Sequence, residues 1–408
     1  MKSLKCLYPD LSDYWDARIS IGCALYYIFS ALNATVKVVL PDSSIVPYLS
    51  AICGIVIVLG LVQSLFRVIN RKGTLLFRSM ALFGIIYLIS FFLISFRGEP
   101  CDVMLRGNLF ITYSWWIPLG VWSASVRNFN VFYDVMLKGS YAILALLTIM
   151  FLYHPLTIYG DTGYNMYFGF NLMIPMLFHM NEYFSHKKRK YLILILAEAI
   201  MLLVYANRGC WLGILFFAGY KMFWESDAKN GKVLLPLIAV FVLFIFPLMI
   251  EEISSVLNTL GISSRSLQML MNGSFVNDSS NRDDIWKDAL AMIGERPIFG
   301  WGLGGEYYHM AKIEDATVVD TSYYPHNGII QNIVEFGVIL GLMVTYYLAK
   351  PYFKLKTVSY GSPRNLVMIF GSSILASFYS SGSFFLMPST AIFVYLYYKG
   401  SWRCNNMN

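Results

Sequence analysis

Apolar runs of bilayer length, one after another, constrain this chain more than any other feature of it. A helix needs roughly 20 apolar residues to cross the hydrocarbon core, and about twelve such runs can be placed. They begin near Ile19, Ile45, Leu75, Asn108, Gly139, Asn165, Tyr191, Cys210, Val233, Gly328, Asn365 and Pro388, the last being short. Backbone polar groups have no water to bond in lipid, so each run must satisfy its own as a helix. Membrane strands would show period-two alternation instead, which makes a β-barrel a poor alternative. The composition agrees, with 57% hydrophobic and only 13% charged residues among 408, far from the balance of a soluble domain. The expected fold is all-α: a polytopic integral membrane protein, residues 1–408 forming one transmembrane domain.

The formal net charge is +7, but the basic residues are spread over short loops and form no single face for nucleic acid. Their order fits topology, since cytoplasmic loops collect Lys and Arg. Arg67, Arg71 and Lys72 form one basic group, followed by Arg127 and Lys138, by "HKKRK" (His186 to Lys190), by Lys221, Lys229 and Lys232, and by Lys350 to Arg364. Lys399 and Arg403 follow last. The connections "LPDSS", "YGDTGYN" and "SGSFFLMPS" carry almost none, which places both termini in the cytoplasm. The six cysteines show neither disulfide nor metal spacing. The N-terminal "MKSLKCLYPDLSDYWDARIS" has acidic residues and no cleavage pattern, so it is not expected to be a removed signal.

Residues 251–327 hold no spanning run, and the loop alternation puts them outside. A loop longer than about 15 residues is usually functional or disordered, and this one has helical pattern. In "SSNRDDIWKDALAMIGERP", Ser280 and Asp283 form a capping pair. Ile285, Ala289, Met292 and Ile293 then fall on one stripe, with Asp284, Lys287 and Asp288 opposite. Such a helix either lies on the membrane surface or packs on neighbouring loops. The glycine-rich "FGWGLGGEYY" follows no strand and lacks a Gly-Lys-Ser/Thr ending, so it is a tight turn and not a nucleotide loop.

Four positively charged or proton-accepting groups stand out. Arg208, in "VYANRGCWLG", lies where two apolar runs meet with almost no loop, either snorkelling to headgroups or holding an anion in its planar fork. Arg282 opens the loop helix, where it is either solvated beside Asp283 and Asp284 or, with the free N–H groups of the helix start, attracts phosphate. Arg265 is a weaker third candidate, with plain surface charge as its other reading. His326, in "YYPHNGIIQNIVEFG", precedes the last-but-two run. There it either caps the helix or, kept neutral by the positive end of the helix dipole, accepts a proton. Asn327, Gln331 and Glu335 recur at i, i+4 and i+8 as one polar stripe, which must face the bundle interior. Gly337 and Gly341 have the spacing of a close helix-packing face.

The order of "RxxxW", "ERPIFGWGLG" and "PHNGIIQNIVEFGVILG", preceded by the span-edge "NRG", resembles the bacterial O-antigen ligase and O-antigen polymerase superfamily. The resemblance is strongest from Asn281 to Gly341 and extends to Arg208. It implies a glycosyltransferase of the multi-spanning (GT-C-like) class, acting outside the cytoplasmic membrane on polyprenyl-diphosphate-linked glycan donor and acceptor. No cofactor, no metal and no nucleic acid are implied; the lipid bilayer and other polysaccharide-assembly proteins are the further partners. Arg208 and Arg282 match the family arginines thought to hold the donor diphosphate, and His326 matches the proposed base; Arg265 is a further diphosphate-binding candidate from its charge alone. Polymerisation of repeat units is the expected activity. Transfer of a finished glycan to an acceptor and transport of a lipid-linked sugar, for which Arg78 and Glu198 are the buried-charge candidates, remain as alternatives.

Overall fold

The computed structural model describes residues 11–39, 45–96, 116–153, 166–205, 208–225, 282–313, 324–355, 361–380 and 388–405, with 255, 259 and 358 as single positions. Among them no strand occurs, in agreement with the all-α expectation. The helices are α1 (Leu11–Val39), α2 (Ile45–Phe96), α3 (Trp116–Ser125), α4 (Phe129–Tyr153), α5 (Met166–His186) and α6 (Arg189–Tyr205). They continue with α7 (Arg208–Tyr220), α8 (Arg282–Glu295), α9 (Gly305–Ile313), α10 (Gly328–Phe353), α11 (Ser362–Ser380) and α12 (Pro388–Asn405). By length and composition, four described segments can cross a membrane: Ser12–Val36, Ser64–Phe92, Phe129–Leu152 and Gly328–Phe353. The second is the least buried, and Phe66, Phe77, Leu82, Leu88 and Phe92 are exposed along it, as a lipid-facing surface requires.

The expected run boundaries shift in two places among the described residues. The runs from Ile45 and Leu75 form the single helix α2, bent where Lys72 leaves helical geometry. The run from Asn108 shows a described helix only from Trp116, ten residues long. The run from Val233 lies outside the described residues.

The chain divides into two compact units. One comprises Ser20–Gln63 and Val131–Asp278, and its described centre is the antiparallel pair α5 and α6, with α7 against α5. Fully buried His179 and Glu198 join this pair, Nδ1 to Oε1 at 2.8 Å. Beside them, Tyr133 donates to Glu182 at 2.9 Å and accepts from Asn181 at 2.6 Å.

The other unit comprises Met1–Ile19, Ser64–Asn130 and Ser279–Asn408. Its α12 packs along α3 and α11. Buried Asp16 is compensated from several sides, pairing with Arg71 and accepting the backbone N–H groups of Arg127 and Asn128 at 2.9 and 2.6 Å. The stripe expected on α8 is a core face: Ala289 and Met292 bury against Trp301, Met310 and Val334, with Ile285, Ile293 and Ile330 at the rim. A fully buried Met contributes roughly 1.5–3 kcal/mol, so packing on α9 and α10 accounts for this helix without a membrane surface beneath it.

The largest departure concerns α10, expected as one spanning run and long enough for a single crossing by length and composition alone. Gly337 has φ 76° and ψ 173° inside it, and the chain folds back there. Asn332 Nδ2 donates to Thr345 Oγ1 at 3.2 Å, although 13 residues of straight helix would separate these positions by about 20 Å. Gly341, expected to pack on another helix, lies against the backbone of Asn332 and Ile333 in its own first arm. The helix is thus a hairpin of a short arm, 328–336, and a long arm, 338–353, the latter about 24 Å in length.

Gly337→Ala should therefore be severely destabilising. Its methyl would meet the Ile298 carbonyl oxygen at 2.2 Å, at a φ that L-residues avoid. Gly294, at the end of α8, has open space around it, and Gly294→Ala should raise stability by about 0.5–1 kcal/mol. Thermal unfolding of the two variants in detergent checks the contrast; similar melting temperatures would contradict the hairpin.

Candidate functional site

The short arm of α10 begins at a turn set by three consecutive residues. Pro325 is buried. His326 follows with φ 52°, one of the two non-glycine residues with positive φ among those described. Such backbone geometry costs about 1–3 kcal/mol, persists where surroundings enforce it and clusters at functional sites. Asn327 is extended, at φ −147° and ψ 113°, and its Oδ1 accepts the N–H groups of Ile329 and Ile330 at 3.0 and 3.2 Å. The N-cap is therefore Asn327, and the capping role open to His326 in the sequence belongs to its neighbour.

Aromatic side chains enclose this turn. The Tyr324 ring lies 4.1 Å from the His326 imidazole, centroid to centroid, and Tyr307 meets Tyr324 edge-on at 6.4 Å. Trp286 on α8 donates its indole N–H to the Pro325 carbonyl at 2.9 Å. Arg282, the first residue of α8, is one turn before Trp286, so the start of that helix and the turn at His326 come together. The side chains of Arg282 and Arg208 and the whole of Arg265, Ser280 and Tyr323 lie outside the described residues. Arg208 is the first residue of α7, in the other unit. Of the residues considered for transport, Arg78 is exposed and Glu198 has His179 as its partner.

Behind the turn, the glycine-rich segment closes over the hinge of α10. Trp301 N–H donates to Val334 O at 2.8 Å, Gly302 N–H to Glu335 O at 2.9 Å, and Val338 N–H to Pro297 O at 2.7 Å. A methyl on Gly300 would lie 2.5 Å from the Val334 oxygen, so this approach requires glycine. Trp301 also donates its indole N–H to Met292 O at 2.9 Å, at the end of α8. The Arg296 guanidinium sits 3.7 Å from the Trp301 ring, a cation–π contact, and His309 lies 3.6 Å from the same ring.

Gln331 and Glu335 do share a face of the short arm, but it is closed by α9 and lines no opening. Gln331 Nε2 donates to Glu306 Oε1 at 2.6 Å and, more weakly, approaches Glu335 Oε1 at 3.4 Å. Gly304 N–H points at the same Glu335 oxygen, 3.3 Å away. All three side chains are fully buried, and the Gln331 amide stands between the two carboxyls. Burial pushes the Glu306 carboxyl up to about 7, against the pull of its bonds from Glu335, its own backbone and Gln331. Two carboxyls gathered around one amide repel when both are charged, which works in the same direction. Among the described residues no three His, Cys, Asp or Glu side chains converge as metal ligands would.

Glu306 is the member that sequence reasoning missed. An isolated Glu after a glycine turn carries no periodic signal, and only the fold brings it opposite Gln331 and Glu335. Trp286 carried a hint, four residues after Arg282 in the motif "RxxxW", but its bond to Pro325 spans 39 positions.

Because the folded state holds the Glu306 proton up to about 7 while an unfolded carboxyl releases it near 4.5, the folded state binds more protons between those values. The stability contributed by this group is present below that window and lost as pH rises through it. Glu306→Gln should flatten that part of the melting temperature against pH curve. Parallel melts of wild type and variant from about pH 4 to about pH 8 test it; identical slopes would contradict the assignment.

Comparison with known families brings in the segment that holds this turn. Residues 191–345 match the family model described as O-antigen ligase, covering α6, α7, α8, α9 and most of α10. No curated protein matches the chain. With the order of motifs from Asn281 to Gly341 and the helical segments of membrane length among the described residues, this match makes residues 191–345 similar to the O-antigen ligase family.

Proposed function

We propose that the protein polymerises polyprenyl-diphosphate-linked oligosaccharide repeat units into a surface polysaccharide, O-antigen or capsule, by inverting, metal-independent glycosyl transfer. In this reading the chain crosses the cytoplasmic membrane about twelve times, as GT-C-like enzymes do, with residues 251–327 and the site on the outer face. The carrying observation is the turn at Pro325–His326–Asn327, where Asn327 supplies the cap and His326 is held in a left-handed conformation beside Tyr324 and the start of α8.

The chemistry follows from the groups. His326 takes the proton of an acceptor sugar hydroxyl. That oxygen forms a bond to the anomeric carbon from the face opposite the diphosphate, whose C–O bond breaks with both electrons leaving on the diphosphate. Arg208 and Arg282, with Arg265 as a further cation, stabilise that charge through bidentate contacts. Tyr324 and Trp286, both half-buried, offer ring faces for sugars.

The description of the matched family as O-antigen ligase favours one second reading, transfer of a finished glycan to a lipid, protein or wall acceptor. Glycan length separates the two, since loss of a polymerase shortens chains and loss of a ligase leaves long chains unattached. For either reaction, His326→Ala should leave the protein inserted and lower turnover by about 100-fold or more. Arg208→Lys should fail as well, because a point charge replaces a fork. Gel analysis of glycans from complemented deletion strains checks both, and wild-type glycan with His326→Ala would sink the base assignment.

A further inference from the structure

The short arm of α10 has only the nine residues 328–336, and helices of that length are marginal in isolation. Both of its ends are held by neighbours in sequence or space: Asn327 caps the start, and the N–H groups of Trp301 and Gly302 bond the carbonyls of Val334 and Glu335 at the end. Its flank is held by the Glu306, Gln331 and Glu335 cluster. Glu306 is the one member that does not ride on the arm, since it lies in the first turn of α9, directly after the glycine segment. The 2.6 Å bond from Gln331 to Glu306 therefore ties the arm to the turn that wraps its hinge.

The reaction scheme above gives this cluster no part in bond making. Its carboxyls are buried, and nothing places them at the substrate. The second oxygen of each carboxyl has no hydrogen-bond partner among the described residues, and two like groups bridged by one amide in a dry site repel unless one of them is neutral. Such a pair is tolerated only while its geometry holds. Gln331 lies one turn along the arm from Asn327, about 6 Å by helical rise, so a shift at the cluster displaces the turn that carries His326.

We propose that Glu306, Gln331 and Glu335 form a hydrogen-bonded latch that fixes the short arm of α10, and that Glu306 is thereby a positioning residue for the reaction at His326. This rests on the assignment of His326 as the base. An acid at position 306 is not required as a charge. A glutamine there accepts from Gln331 through its oxygen, reproducing that bond with a neutral group.

The test uses the full chain in lipid nanodiscs, with polyprenyl-diphosphate-linked oligosaccharide extracted from the host as substrate and released polyprenyl diphosphate as readout. Backbone hydrogen exchange is measured in parallel over 300–305 and 328–336. Glu306→Ala should lower kcat by about 10- to 100-fold with KM changed by less than about twofold, the signature of misplacement and not of lost binding. Exchange should quicken about tenfold or more in those two segments and not in α11 or α12. Glu306→Gln should restore both readouts. Unchanged exchange in Glu306→Ala, full kcat despite faster exchange, or a Gln variant as impaired as Ala would each overturn the proposal. Should Glu306→Ala not accumulate, Gln331→Ala removes the bridging amide and leaves the carboxyl pair. It should show the same pattern at smaller amplitude, and unaltered kcat and exchange there overturn the proposal equally. Activity retained by His326→Ala marks failure of the base assignment instead, and the exchange data are independent of it.

Discussion

Two carbonyls that a continuous helix would have satisfied determine the geometry of the candidate site. Breaking α10 at Gly337 strands the oxygens of Val334 and Glu335 in buried surroundings, where an unbonded carbonyl costs about 1–3 kcal/mol. The glycine turn supplies the N–H groups of Trp301 and Gly302, and Val338 returns a bond to Pro297. The break and the turn therefore imply each other. A helix hairpin without the turn would leave acceptors unpaired, and the turn without the break would find those acceptors already used. Around this exchange α8 packs its apolar stripe, Trp301 caps the end of α8, and the short arm is set at a fixed height.

Among the described residues, the buried charged groups treated above each have a close partner. Asp16 has Arg71 and two backbone amides; His179 and Glu198 have each other; Glu306 and Glu335 share the amide of Gln331. The first two pairs bring opposite types together and read as fasteners between helices. The third brings like groups together, which is unfavourable unless one proton is retained. That distinction is physical: burial pushes the Glu306 carboxyl up to about 7, so this pair responds to pH within the range that cells encounter.

The helical class and the face of α8 were legible from the sequence because they rest on period. Ile285, Ala289, Met292 and Ile293 recur as a helix demands, and they bury as a group. The i, i+4 spacing of Gln331 and Glu335 likewise put both on one face of the arm. What they meet was not legible, because Glu306 arrives from a separate helix through three positive-φ glycines whose directions no pattern encodes. The hairpin in α10 was hidden for a related reason. "EFGVILG" is apolar enough to continue a span, and the glycine spacing that signals contact with another helix serves equally for contact with the helix's own preceding arm. His326 illustrates a third limit: a residue beside Asn at a helix start looks like a cap until the structure shows which of the two side chains bonds the free N–H groups.

A broken arm suits a proposed base better than an unbroken span would. A long helix in a bilayer can tilt or slide as a unit, and a group on it moves with the whole. The nine residues of the short arm are instead bonded at the start, at the end and along one flank to elements of the same unit. His326 then sits on a support whose position is decided within a few ångströms of it, by Trp286 above and Gln331 below. Since a displacement of about 1 Å can cost 100-fold in rate, local bracing of this kind provides the required accuracy, and the long arm of α10 is left to accommodate the membrane.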